Sequence, residues 1–173
     1  YGFEIVQDLA EADIAIINTC AFIEPARKEA LDNIFDALVL KENKKLEKVI
    51  VSGCLAQRYK QELGKQIPEV DAILTAKDNE NICQIVEEMY GVKKSKPLID
   101  ERRIFTNRGS FAYLKIADGC NNVCSFCTIP RIKGKFTSFD IDVIVNEAKY
   151  LAKNGIKALV LVAQDVTRYG EDL

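Results

Sequence analysis

The sequence predicts an α/β protein. It has an N-terminal flavodoxin-like, doubly wound parallel-sheet domain, followed by the opening βαβ unit of a (β/α) barrel. Two observations carry this prediction. Short apolar runs rich in β-branched residues alternate with helical segments, and this order is typical of parallel sheets with right-handed crossovers. The 173 residues are 48% hydrophobic and 29% charged, which is ordinary for a globular chain of this length.

The first domain is predicted over residues 1–91, with three strands and three helices in alternation. Pro25 suits a first helical turn, and Gly91 closes the last helix. The predicted strands are Asp13–Asn18, Lys48–Ser52 and Ala72–Thr75, and the predicted helices are Ala26–Leu38, Gln57–Leu63 and Asn81–Tyr90.

A polar, charged stretch at residues 92–110 has no sustained period, so we interpret it as a linker. The second domain, residues 111–173, begins with strand Phe111–Ile116 and continues with strand Ala158–Ala163. Between them Ser138 is predicted to cap a helix that ends at Asn154 and Gly155. The apolar stripe of that helix is Ile141, Ile144, Val145, Ala148, Leu151 and Ala152. A closed barrel needs more strands, so its edge is expected to be open.

Composition excludes several classes of protein. The net charge of −2 argues against direct nucleic-acid binding by this chain, and no apolar stretch is long enough to span a membrane. No signal peptide is visible, so six cysteines indicate metal or redox chemistry in a cytoplasmic protein. The chain opens at Tyr1 and stops at Leu173 soon after a strand, so we expect a fragment cut at both ends. Because its barrel would be unclosed, we also expect the fragment to be inactive in isolation.

The most informative motif is the C-x3-C-x2-C run of Cys120, Cys124 and Cys127, which follows a predicted strand. Three clustered thiolates can hold an iron–sulfur cluster and leave one iron open for a small cofactor. A zinc site remains an alternative, but it would need a fourth ligand and the chain has no histidine. Disulfides are a second alternative, although three neighbouring cysteines cannot all pair.

Two further cysteines also follow predicted strands. Cys20 comes two residues after Asn18, and Cys54 comes two residues after Ser52. Neighbouring parallel strands bring their carboxyl ends together, and α/β folds build sites at that edge. Buried structural cysteines are the alternative for this pair. Cys83 lies within a helical run and is interpreted as a small buried apolar residue.

The runs INTCAFI and SGCLAQRY, followed by DGCNNVCSFC, resemble the radical S-adenosylmethionine (radical SAM) methylthiotransferases over essentially the whole chain. The resemblance implies two 4Fe–4S clusters and S-adenosylmethionine, with the second domain opening a radical-SAM barrel. Cys120, Cys124 and Cys127 would hold the cluster that binds S-adenosylmethionine. Cys20 and Cys54 would hold an auxiliary cluster, whose third ligand would lie upstream of residue 1.

Within this family, the segment AQDVTRYG at residues 163–170 resembles the ribosomal (RimO) type. That type methylthiolates the β-carbon of an aspartate in the twelfth small-subunit ribosomal protein. The tRNA adenosine (MiaB) type is the alternative within the family. A zinc-stabilised ribosome- or RNA-binding module without catalysis is the alternative outside it. The run GKFTSF at residues 134–139 departs from the arginine-rich family loop, which puts contacts made by that loop in doubt.

The resemblance also implies roles for single residues and for partners. Phe126 matches the aromatic of the motif and is expected beside the cofactor or cluster, with core packing as the alternative. Gln164 and Asp165 could reach cofactor or substrate, with helix capping as the alternative. The expected partners are the ribosomal protein as substrate, a flavodoxin-like or similar reductant and a sulfur donor, and no membrane is expected.

Overall fold

The computed structural model describes residues 3–75, 78–92 and 109–173, without the side chains of Asn79 and Glu80. These residues form two compact units, one up to residue 100 and one from residue 101. Most of the predicted linker, residues 92–110, lies outside the described residues. Each unit has its own parallel sheet, and they are considered separately.

The sheet of the first unit has three parallel strands in the order β1-β2-β3. The register pairs Ile14 with Lys48 at one end and Thr19 with Gly53 at the other. The strands are β1 (Ile14–Thr19), β2 (Lys48–Gly53) and β3 (Ala72–Ile73), and the helices are α1 (Glu24–Glu42), α2 (Cys54–Gln66) and α3 (Ile82–Met89). The predicted alternation of strands and helices is therefore confirmed.

Helices cover both faces of this sheet. Ala37 of α1 packs with Ala15 and Val49 on one face, and α2 approaches the same face because its Gly64 lies beside Ile73. On the opposite face α3 packs against the sheet, in a cluster made of Ile50, Leu74, Val86, Ile14, Ala72, Ile82, Ile85 and Met89. This arrangement confirms the doubly wound α/β fold.

Asp71 is the main electrostatic contact of the first unit. Its carboxylate accepts hydrogen bonds from Lys41 Nζ at 2.5 Å, Lys48 Nζ at 3.1 Å and the Val49 amide at 2.8 Å. Burial raises the pKa of Asp71, but these hydrogen bonds and the Lys41 charge outweigh burial and hold the pKa below its ordinary value. One side chain thus joins α1, β2 and the start of β3.

The second unit is built on a βαβ crossover, as predicted. Strand β4 (Phe111–Lys115) pairs in parallel with β7 (Ala158–Val162), and α5 (Ile141–Lys153) connects them on one face. The core of this unit consists of Ala112, Leu114, Ile116, Ile144 and Leu151. Of the predicted helical stripe, Ile144 and Leu151 are buried, whereas Ile141 and Val145 are exposed. Among the described strands, β7 pairs with β4 alone.

Three short elements lie between β4 and α5, and the sequence did not predict them. Strand β5 (Ala117–Asp118) pairs antiparallel with β6 (Thr137–Ser138), and α4 (Ile129–Lys133) lies between them. They organise the cysteine loop.

The expected cap of α5 was wrong. Asp140 is the N-cap, because its carboxylate accepts from the Asp142 amide at 2.8 Å. Ser138 lies in β6 instead, and its hydroxyl donates to Asp172 at 2.5 Å. Because β6 ends at Ser138, two residues before the N-cap position, the serine is too far upstream to cap the helix.

No helix in the described ranges is both long enough and apolar enough to cross a membrane.

Replacing Asp71 by Asn should destabilise the first unit by about 1–3 kcal/mol at pH 7, since it removes a charged acceptor from two lysines. The wild-type contribution is fully present above the unfolded aspartate pKa of about 3.9. It is lost as pH falls through the lower folded pKa, so the difference between the two proteins should shrink at acidic pH. Urea unfolding of wild type and Asp71→Asn from pH 7 to pH 3 measures this. Asp36→Asn, at an exposed position of α1, is the control. A variant that loses stability equally at every pH would contradict the ionic origin of the effect.

Candidate metal centre

The cysteine motif lies on a loop whose two ends are held together. The β5–β6 pair forms the base, with Ala117 opposite Ser138 and Asp118 opposite Thr137. Above it the Cys120 amide donates to the Gly134 carbonyl at 3.1 Å. The loop is therefore closed by backbone hydrogen bonds directly at its first cysteine.

Asn121 adds a side-chain contact to this base, because its Oδ1 accepts from the Phe136 amide at 3.0 Å. Ile132 and Phe136, near the closing end of the loop, are buried. The residues between the cysteines thus rest on an ordered support.

Gly119 permits the closure. It has a φ of +77°, and a Cβ built there would lie 2.1 Å from the Lys135 carbonyl oxygen. A side chain of any size would collide with backbone that cannot yield without opening the base. The glycine before Cys120 is thus required by close approach as well as by its backbone angle.

The three cysteines line one cavity of about 490 Å³. Cys120 is buried, Cys127 is half-buried and Cys124 is exposed. Arg131 and Lys135 also line the cavity and make it cationic. Within the described ranges no three histidine, cysteine or carboxylate groups stand in a ligating arrangement. The fold therefore brings the three thiols to one cavity without placing their sulfurs around a common point.

Backbone amides already engage this loop's sulfur and carbonyl groups. The Asn122 amide donates to Cys120 Sγ at 3.4 Å, and the Cys127 amide donates to the Cys124 carbonyl at 3.1 Å. The Asn122 amide therefore ties the sulfur of the first cysteine to the backbone of the loop.

Asp118 is the anionic group at the entrance to the loop. Lys115 Nζ lies 2.6 Å and Lys133 Nζ 3.7 Å from its carboxylate, and the Gly119 amide donates to it at 2.9 Å. Burial raises the pKa of Asp118, but the lysines and this amide outweigh burial and lower it. Asp118 is therefore ionised at neutral pH, and it ties β4 to the end of α4.

The second cysteine pair lies at the carboxyl edge of the first sheet. Thr19 and Gly53 are paired in register, so Cys20 and Cys54 follow adjacent strand ends. Thr19 Oγ1 donates to the Ser52 carbonyl at 2.5 Å and fastens the two ends. Both cysteines are half-buried.

Gly53 is required at this edge for the same reason as Gly119 in the loop. Its φ is +90°, and a Cβ there would lie 2.4 Å from Asn18 Oδ1 and 2.5 Å from the Thr19 carbonyl oxygen. Cys54 is the first residue of α2. Four residues along the same helix, Arg58 reaches the Ala21 carbonyl at 3.4 Å.

The remaining predicted residues fall in three environments. Phe126 is 88% exposed at the cavity wall, which excludes core packing for its ring. Asp165 caps a 3₁₀ turn at Val166–Arg168, because its carboxylate accepts a hydrogen bond from Thr167. Gln164 is exposed beside it. Cys83 is half-buried on α3, so the expected full burial was wrong.

Sequence reasoning missed the asparagines of the loop. Asn121 and Asn122 both hydrogen-bond to structure outside their own turn. Two consecutive asparagines inside the cysteine loop could have indicated these contacts, since Asn side chains commonly hydrogen-bond to nearby backbone. Arg168 and Asp172 gave no comparable signal, because their partners are distant in sequence.

Gly119→Ala should abolish the ordered loop, whereas Gly155→Ala should cost only the left-handed backbone strain of about 1–3 kcal/mol. Gly155 has a φ of +89° and no atom within 4 Å of its would-be Cβ, so it isolates strain from collision. Thermal unfolding and iron uptake of the two variants measure this. Equal losses in both would show that the close approach to Lys135 is unimportant.

Comparison with known proteins gives concordant results for the two units. Residues 1–75 match the family described as "Uncharacterized protein family UPF0004", and residues 114–172 match the radical SAM superfamily. Residues 76–113, which include the predicted linker, lie between the two matched ranges.

Curated relatives carry the name ribosomal protein uS12 methylthiotransferase RimO. The protein from Acetivibrio thermocellus is 44% identical over 99% of this chain, and the one from Clostridioides difficile is 42% identical over 99%. The protein from a Sulfurihydrogenibium species is 47% identical over 94% of this chain. The chain spans about two-fifths of the length of these relatives, with 41%, 40% and 36% of each covered. The chain thus belongs to the radical SAM family that joins a UPF0004 domain to a radical SAM domain and includes the RimO-type methylthiotransferases.

Proposed function

We propose that the protein containing this chain is a radical SAM methylthiotransferase that modifies ribosomal protein uS12 at the β-carbon of an aspartate. The observation that carries the proposal is identity of 39–47% to proteins of that name across 94–99% of the chain. The cysteine loop supports it, because the three thiols that a radical SAM enzyme needs line one cavity.

The donor set of the loop fits a 4Fe–4S cluster. Cys120, Cys124 and Cys127 supply three sulfurs, and the cavity they line holds no histidine or carboxylate to complete a zinc site. When bound there with S-adenosylmethionine, such a cluster supplies one-electron chemistry that activates a carbon–hydrogen bond. The chain's own contribution is to present the three thiolates on a closed loop and to give the cavity its cationic side chains.

Cys20 and Cys54 are proposed as ligands of a second, auxiliary 4Fe–4S cluster. The parallel register of β1 and β2 supports this, because it delivers both thiols at the same sheet edge. The Arg58 side chain adds a positive charge beside that edge, which favours anionic ligands.

Phe126 is proposed to cover S-adenosylmethionine. A ring left 88% exposed at the wall of the cavity has apolar surface available for a bound ligand. Gln164 and Asp165 follow β7 at its carboxyl end, where α/β folds bind substrates, and we propose that they approach substrate or cofactor.

We assign residues 1–91 to the methylthiotransferase α/β domain, 92–110 to a linker and 111–173 to the start of the radical SAM barrel. The ligands must be reduced thiols, so a cytoplasmic location is proposed. A flavodoxin-like or similar reductant and a sulfur donor are the further partners that the reaction requires.

The test of the function uses the full-length protein, reconstituted anaerobically with iron and sulfide and incubated with S-adenosylmethionine, a reductant and uS12. We expect uS12 to gain the mass of one methylthio group on an aspartate. Replacing Cys120, Cys124 or Cys127 by Ala should abolish the gain, because two thiolates cannot retain the cluster. Cys83→Ala is the matched control and should remain active, since Cys83 lies within α3 and belongs to neither group of proposed ligands.

Three outcomes would overturn the proposal in different ways. Modification of a tRNA adenosine with no change in uS12 would assign the tRNA type. A colourless protein with one tightly bound zinc would indicate a binding module without catalysis. A modified uS12 residue other than aspartate would leave the enzyme class intact and correct its target.

Phe126→Ala should weaken S-adenosylmethionine binding about 3- to 10-fold, the effect expected for one aromatic contact. Val123→Ala removes another apolar side chain of the same loop, 98% exposed, and serves as the control. Equilibrium binding to the reconstituted protein measures both. Equal affinities in the two variants would remove Phe126 from the cofactor site.

A further inference from the structure

The segment after β7 is fixed to the rest of the second unit independently of the cysteine loop. Tyr169 Oη donates to the Phe139 carbonyl at 2.9 Å, and the Gly170 amide donates to Ser138 Oγ at 3.0 Å. Asp172 accepts from the Ser138 amide at 2.9 Å and from its hydroxyl at 2.5 Å. These contacts hold the segment after β7 against the residues that precede α5, so the backbone that carries Arg168 is fixed.

Arg168 extends from this support to the cysteine loop. Its Nε and Nη2 donate to Glu171 at 2.8 and 2.7 Å, which orients the guanidinium plane. Its remaining terminal nitrogen, Nη1, donates to Asn122 Oδ1 at 3.2 Å, a contact across 46 residues of sequence. A local surface ion pair such as Arg168–Glu171 contributes little by itself. Here the ion pair orients the guanidinium so that Arg168 Nη1 can donate to Asn122.

Asn122 is held through both its side chain and its backbone. Its side-chain Oδ1 accepts from Arg168 Nη1 at 3.2 Å. Its backbone amide donates to Cys120 Sγ at 3.4 Å. Asn122 therefore links the segment after β7 to Cys120 Sγ through hydrogen bonds.

The next residues of the loop have little packing of their own. Val123 is 98% exposed and Cys124 is exposed as well. Apolar burial therefore cannot fix this part of the loop, and the polar contacts of Asn122 do so instead.

We propose that Arg168 is a positioning residue. By holding Asn122 it keeps the Asn122 amide on Cys120 Sγ, and it thereby sets the reduction potential of a cluster bound through Cys120. The second half of this inference rests on the proposed function. Amide donors to ligand sulfur stabilise the more negative, reduced state of a cluster, so their loss makes the potential more negative.

The first measurement is the midpoint potential of the reconstituted full-length protein, in a Cys20→Ala/Cys54→Ala background that lacks the proposed auxiliary ligands. Arg168→Gln and Asn122→Ala should each shift the potential to more negative values, so that the ratio of reduced to oxidised cluster at a fixed potential falls several-fold. The double variant should shift no further than the larger single effect, because both act through one contact. Lys149→Gln removes one charge from the exposed side of α5 and is the control.

Arg168→Lys separates position from charge, since it keeps the charge and loses the planar fork. We expect it to behave like Arg168→Gln. A wild-type potential in Arg168→Lys would show that charge alone matters, and a wild-type potential in Arg168→Gln would reject any influence on the cluster. Either result overturns the positioning role.

The second measurement needs no cluster. In the metal-free protein Cys120 is 7% exposed, so access limits its reaction with iodoacetamide. Peptide mass spectrometry should show several-fold faster alkylation of Cys120 in Arg168→Gln and Asn122→Ala than in wild type or Lys149→Gln. Faster alkylation in a protein that never binds iron would reject the proposed function and keep the positioning role. Unchanged alkylation and an unchanged potential in a protein that methylthiolates uS12 would keep the proposed function and reject the positioning role.

Discussion

The cysteine loop of the second unit depends on a close backbone contact between Gly119 and Lys135. The Gly119 backbone packs against the Lys135 carbonyl so closely that no Cβ fits between them, and the Cys120 amide bonds to the Gly134 carbonyl beside it. Everything between residues 120 and 134 is then a closed loop, whose ends are fixed by a short antiparallel ladder. The three cysteines are held by backbone hydrogen bonds at the ends of the loop, and few side chains between them are buried.

The two units bring their cysteines together in different ways. In the first, the register of two parallel strands sets where Cys20 and Cys54 fall. In the second, a clasped loop carries three cysteines, and only the first of them is buried. A glycine in the left-handed region precedes the first cysteine of the loop and also precedes Cys54, because at both places backbone from elsewhere must come within contact distance.

Much of the fold could be predicted from the sequence, because strand and helix periods are local. The runs around Ile14–Thr19, Lys48–Gly53 and Ala158–Val162 are short and apolar, and their positions agree with the predicted strands within about two residues. The cysteine positions at strand ends followed from the same pattern. Ser138 failed as a predicted cap because a two-residue strand, too short to leave a periodic signal, occupies its position. The contacts of Arg168 with Asn122 and of Asp172 with Ser138 could not be predicted, since these partners lie 46 and 34 residues away.

The pairing of Thr19 with Gly53 has a consequence for how the first unit folds. Side chains alternate across a strand, so a slip of one residue between β1 and β2 would turn Val49 and Ile50 toward the wrong helices and carry Cys54 out of line with Cys20. Burial of the correct apolar side chains therefore also fixes the alignment of the two thiols. Only a chain whose sheet has formed in the correct register places Cys20 and Cys54 at adjacent strand ends, so the sheet must form before the two thiols can act together.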